Sequence, residues 1–239
     1  MMFTSKIAGL LLVLVNATAI TEVDGLFGYG ADHAREQRAL QILERALAAA
    51  PSDYELLWRA ARSYYYVGDD APQKERAGYF ERGMTAGKRA IRENPDGVEG
   101  HFWLGAVWGG YLRDKGGLTA FRNVKNVRTE METVLKLKAE YEEGAAYTAL
   151  GEIDRQLPGL FGGNLRRGIA VLETGLKVVP NNPEIKTALA EAYMEANRKN
   201  EARTQLQEAL QAPLNSARAP ESRRAQERAQ KLLKKLQTK

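Results

Sequence analysis

Two histidines, His33 and His101, are the first side chains to test for acid–base or metal chemistry, and the chain has no cysteine. Neither histidine has a second ligand at metal spacing such as HExxH. His101 stands beside Phe102 and Trp103 in an apolar stretch, which favours a packed imidazole over a catalytic one. The acidic pairs Glu142-Glu143 and Glu152 with Asp154 fall on helical stretches with an apolar opposite face. Solvated or ion-paired carboxylates are expected there, not a general acid/base dyad. No Ser/His/Asp arrangement can be built on spacing. Gly25, Gly28 and Gly30 miss the dinucleotide-loop spacing, and no strand pattern precedes them. The lack of cysteine excludes disulfides, thiolate metal sites and a thiol nucleophile. No catalytic residue, metal site or cofactor is therefore expected, and the chain reads as a binder and not as an enzyme.

Helices must position any binding side chains. From Pro183 to Pro213 the sequence reads as two amphipathic helices joined by the polar turn Arg198-Lys199-Asn200. Leu189, Ala190 and Tyr193 form one apolar stripe, and Ala202, Leu206 and Ala209 the next. Small residues let the two helices approach while Tyr193 and Leu206 fill the space around them. The pattern recurs upstream. Ala39, Leu43 and Ala46 repeat the second stripe and Pro51 ends it, as the back half of a repeat whose front half is missing or degenerate. A helix from Ser52 opens with a Ser52–Glu55 capping box, carries Trp58, Ala61 and Tyr65, and stops at Gly68-Asp69-Asp70. A longer helix spans roughly Lys74 to Glu93.

The next repeat opens with Asp96 and Glu99 in capping-box register and continues through Leu104, Gly105 and Trp108. Gly109 to Asn126 reads as an insertion, partly helical, before Val127, Met131 and Val134 resume the stripe. Tyr147, Leu150 and Gly151 start a third repeat, interrupted by Leu157-Pro158-Gly159-Leu160-Phe161-Gly162-Gly163-Asn164. Gly168, Leu172 and Gly175 follow. After the Pro213–Pro220 linker, Glu221 to Gln237 reads as a helix with a narrow face of Leu232, Leu233 and Leu236.

These copies resemble the tetratricopeptide (TPR) pattern, a helix–turn–helix that buries its apolar face only against neighbours of the same kind. The resemblance implies an all-α, TPR-type helix–turn–helix solenoid over residues 36–213, with insertions in the middle repeats. Residues 214–239 would be a linker and basic C-terminal capping helix. A narrower likeness rests on YELLWRAARSYYYVGD, EGHFWLG, LPGLFGG and AVLETGLKVVPNNPE, which are similar to the periplasmic T-component of tripartite transporters. Members of that group as known are lipoproteins, and the missing cysteine departs from them. That likeness implies a transport accessory with an apolar pocket.

Ahead of the repeats, Lys6, the apolar run Ile7 to Val15 and Ala17-Thr18-Ala19 have the form of a signal peptide, residues 1–19, cut after Ala19. Residues 20–35, Gly-rich and aperiodic, are expected to be a flexible lead-in. Export to the periplasm follows, with an uncleaved N-terminal membrane anchor as the alternative. The formal charge of +5 is uneven: Arg218 to Lys239 holds eight Lys or Arg against two Glu, a net +6 that leaves the rest near −1. This argues against a broad nucleic-acid face.

In TPR arrays the first helix of each pair lines the concave face. The partner-binding residues implied are Arg59, Tyr66, Phe102, Thr148, Glu152, Arg155 and Glu191, suited to an extended peptide or helix. Trp103, Trp108, Leu160 and Phe161 could instead line an apolar pocket for a small molecule. The basic tail could touch anionic headgroups weakly, although a solvated capping helix is the simpler reading. The expected function is an exported scaffold for protein–protein interaction. A periplasmic carrier is the alternative.

Overall fold

The computed structural model describes residues 16–28, 32–215 and 218–237. The positive residue and apolar run of the expected signal peptide lie outside them. Every regular element among the described residues is helical. These are α1 (16–26), α2 (His33–Ala49), α3 (Tyr54–Asp70), α4 (Gln73–Glu93), α5 (Val98–Lys115) and α6 (Gly117–Leu137). There follow α7 (Tyr141–Gln156), a 3-10 turn Gly159–Phe161, α8 (Leu165–Val178), α9 (Pro183–Glu195), α10 (Lys199–Gln211) and α11 (Ala219–Gln237). They form two compact units, divided within α6 between Glu130 and Met131.

Local chemistry explains the helix starts. Asp32, Asp53, Asn164 and Asn182 each accept the amide three residues on, and Pro183 holds the first helical position of α9. Two expected capping boxes move. The cap of α3 is Asp53 and not Ser52, which frees Glu55 to take the Trp58 indole N–H at 3.0 Å. The cap of α5 is Gly97, with no side-chain bond, and Glu99 accepts the Tyr54 hydroxyl at 2.8 Å instead. The expected insertion is no separate element. Its residues lengthen α5 and α6, which meet at Gly116 and Gly117, both at positive φ.

The first unit contains a larger correction. Residues 16–26, assigned from sequence to the signal peptide and flexible lead-in, are helical. Glu22 pairs with Arg38 at 2.7 Å, and the Gly25 carbonyl accepts from Arg35, so α1 and α2 form an antiparallel pair. Asn16 reaches Asp53 at the start of α3 and Phe27 reaches Tyr66 near its end, so α1 runs parallel to α3. The front half of the first repeat is therefore present. Glycines at 25 and 28 and the Ala-x-Ala cleavage pattern had hidden it. Phe80, Met84, Leu104 and Val107 fill the core between α4 and α5.

The second unit follows the repeat rule closely. Ala202, Leu206 and Ala209 of α10 are buried against α9, with Leu189, Ala190 and Tyr193 across from them. Burying each large side chain contributes about 1.5–3 kcal/mol. Gly151 lets α8 approach α7, since a Cβ there would stand 2.5 Å from Leu172. Ala229 and Leu236 of α11 close this core, with Leu232 and Leu233 packed on it. The capping role thus uses the same leucines that a lipid-binding face would need. Glu142 and Glu143, expected on an ordinary helix, instead form with Gly144 a left-handed turn. Asn182 donates to the Glu143 carbonyl at 2.7 Å and Arg218 donates to that of Glu142, holding the turn in place.

Candidate partner-binding site

In the first unit the implied binding residues are spent on internal contacts. Arg59 grips Asp24 of α1 with two guanidinium nitrogens, Nε at 2.9 Å and Nη2 at 2.7 Å, and pairs with Glu55 at 2.5 Å. Arg62 lies over the Phe27 ring at 3.7 Å and reaches Asp24 at 3.2 Å. Burial alone would raise the Asp24 carboxyl, but the bonds and charges of Arg59 and Arg62 outweigh it and hold it below its ordinary range. Tyr66 packs between Phe27 and Trp103, at 5.7 and 5.8 Å. Phe102 is buried edge-on to Trp103. Within the same unit Glu36 is only 2% exposed, and Ser63, also buried, is the one side chain offering its carboxyl a hydrogen bond among those that shift it. Burial pushes it up to about 7, against the opposing pull of Arg62 and Arg35.

His101 is buried, with Nδ1 2.6 Å from Glu130 and Nε2 2.9 Å from the Pro95 carbonyl. The Glu130 bond raises it above its ordinary value despite burial. Both ring nitrogens are engaged, as a packed histidine requires. The apolar-pocket set does not assemble within either unit. Trp103 is 2% exposed in the first-unit core, and Trp108 meets Tyr111 edge-on. Leu160 and Phe161 belong to the second unit, where Leu160 is 91% exposed.

The second unit brings Thr148, Glu152, Arg155 and Glu191 together. Arg155 pairs with Glu195 at 2.5 Å and Glu191 at 3.2 Å, while Arg228 of α11 reaches Glu191 at 2.6 Å and Glu152 at 3.3 Å. A cavity of about 240 Å³ opens beside them, lined by Thr148 and Glu152 of α7, Glu184 and Thr187 of α9, and Glu221, Arg224, Ala225 and Arg228 of α11. A second cavity of about 200 Å³ lies at the helix ends between Glu143, Asn182, Pro213, Leu214 and Arg218. Sequence reasoning made α11 a cap or a weak contact for anionic headgroups and missed its contribution to this cavity. Its Glu221, Arg224 and Arg228 stand three and four residues apart, so they share one helix face. That spacing is the signal that α11 presents a first-helix face of its own.

Antiparallel helix pairs stacked in each unit, with the first helix of each pair side by side, define the TPR class. Residues 162–236 match the tetratricopeptide repeat itself. Residues 19–152, more than half of the chain, match the family described as regulator of microtubule dynamics protein 1-3, and the chain belongs to that family. The fold resembles TTC0263, a TPR protein of Thermus thermophilus, with a TM-score of 0.59 and 22% identity over 82% of this chain and 91% of that one. It also resembles MamA, with a TM-score of 0.55 and 16% identity over 75% of this chain and 89% of that one. No curated protein matches the sequence.

Proposed function

We propose that the chain is a scaffold that holds a segment of a partner protein against the first-helix face of the second unit. The carrying observation is the cavity where side chains of α7, α9 and α11 converge, with Thr148 and Glu152 of the expected binding set on its wall. Charged side chains from three helices, Glu152, Glu184, Glu221, Arg224 and Arg228, stand on its lining and offer partners to the charged side chains of a peptide. The carrier reading has less support, since Trp103 is packed into the core and Leu160 is 91% exposed. The apolar leader supports export. Asn16 and Val23 belong to α1, so a retained leader, anchoring the chain at its N-terminus, keeps the first repeat whole. Mass measurement of the N-terminus from cells distinguishes that form from one cut after Ala19.

The scaffold reading is tested with a photo-crosslinking residue at Arg224, on the cavity, and at Arg203, on the exposed side of α10. A discrete adduct expected from position 224 and absent from 203 supports the proposal, provided that Glu191→Lys abolishes it. Equal labelling from both positions overturns it.

A further inference from the structure

Resting on the scaffold reading, we infer that the cavity of the second unit is a receptor for one basic side chain, a lysine or arginine of the bound segment. Three carboxylates line it, Glu152, Glu184 and Glu221, with the Thr148 hydroxyl beside them. The arginines on the same wall answer Glu152 but not Glu184 or Glu221. Arg228 is committed to Glu191 and Glu152. Arg224 is exposed, and among the described residues no ion pair joins it to Glu221. Glu184 meets Arg218 only at 3.5 Å, and that guanidinium also serves the Glu142 carbonyl. One oxygen of Glu221 and the hydroxyl of Thr148 are buried without a hydrogen-bond partner.

A buried acceptor left unpaired is costly, and a buried carboxylate more so. An entering ammonium or guanidinium supplies both the missing donors and the missing charge. Lysine brings three N–H donors and arginine five, enough to serve Glu184, Glu221 and Thr148 together. A carboxylate-bearing segment would meet like charge, and an aliphatic one would leave Glu221 unpaired. Burial raises the Glu184 carboxyl against the pull of Arg218, with Glu221 and Glu143 adding to the rise. Size agrees. At about 240 Å³ the cavity falls below the roughly 300 Å³ at which whole-ligand pockets begin, a volume suited to one side chain.

The test pans a random dodecapeptide library against the full chain and against a Glu184→Gln/Glu221→Gln variant whose thermal unfolding matches wild type. A Thr148→Trp variant, also matched to wild type in thermal unfolding, obstructs the groove from a partly exposed lining position and reports whether selected peptides sit there. The expected result is groove-dependent peptides with a recurrent Lys or Arg, bound about tenfold more weakly by the double variant. Substituting that Lys or Arg by norleucine should produce the same loss in wild type and little further loss in the double variant. Groove-dependent peptides without a basic residue, or with one insensitive to the double variant, overturn the inference while leaving the scaffold reading in place. Peptides indifferent to Thr148→Trp overturn both.

Discussion

The same helix face is core in one unit and open in the other. On α3, Leu56, Arg59 and Ser63 stand at the positions that would line a groove, yet all three are buried. On α9 the corresponding Glu184 and Glu191 are only partly buried, although Thr187 between them is packed, and Glu184 lines a cavity. The difference lies in the neighbours. Beside α3 runs α1, which brings Asp24 and Phe27 against it. Beside α9 runs α11, which brings Arg224 and Arg228, long side chains whose charged ends stay at the rim. Groove positions in a repeat become a site only where the adjoining helix leaves them room.

The strongest way to break this contrast is to unseat α1. Val23 is 0% exposed, and Val23→Asp buries an unpaired carboxylate on α1. A loss of about 3–4 kcal/mol is expected, with a red shift of tryptophan emission as Trp58 loses its cover of Arg59 and Arg62. Urea unfolding followed by fluorescence measures both. Unchanged stability would mean that α1 does not seal α3, and the two faces would then be alike.

That contrast also marks what could be read from sequence. The small-large-small spacing of Ala202, Leu206 and Ala209 was legible because a helix pair can bury it in only one way, and all three are fully buried. Asn182 and Pro183 announced the start of α9 for the same local reason. The first half-repeat was not legible, since Ala17-Thr18-Ala19 has the form of a cleavage site and Gly25 and Gly28 interrupt the helical period. The fate of Arg59 and Tyr66 was hidden with it: their spacing gave the right face, but whether a face is open depends on α1. The left-handed turn at Glu142 and Glu143 was beyond reach, because glutamate prefers ordinary helix and only the contacts from Asn182 and Arg218, 39 and 76 residues away, hold it.

A second test sharpens the difference through pH. Glu36 lies buried in the sealed unit with a value near 7 against an ordinary 4.5. The stability tied to its neutral form is fully present below about 4.5 and is lost as pH rises through about 7. Glu36→Gln removes the cost of the buried charge. It should raise stability at pH 8 by about 2 kcal/mol, a gain that disappears near pH 4. Melting temperatures at the two pH values decide it; a gain equal at both would assign the effect to packing. In the second unit Gly144→Ala should cost about 1–2 kcal/mol, because φ is +71° there and Val179 stands 3.1 Å from the added carbon. Urea midpoints measure it, and no loss would mean the left-handed turn relaxes freely.

The smallest expected effect on stability falls on the open face, and that smallness is informative. Glu152 meets Arg228 at 3.3 Å with both side chains partly exposed. Exposed pairs of this kind contribute about 0–1 kcal/mol, so Glu152→Ala should shift the urea midpoint by no more than about 0.5 kcal/mol. The same variant removes a carboxylate from the cavity wall and releases one contact of Arg228. Loss of the Arg224 crosslink without loss of stability is the outcome expected of a binding surface. A loss comparable to that of Val23→Asp would instead show Glu152 to be structural. The open face would then be maintained for packing, as the sealed face of α3 is.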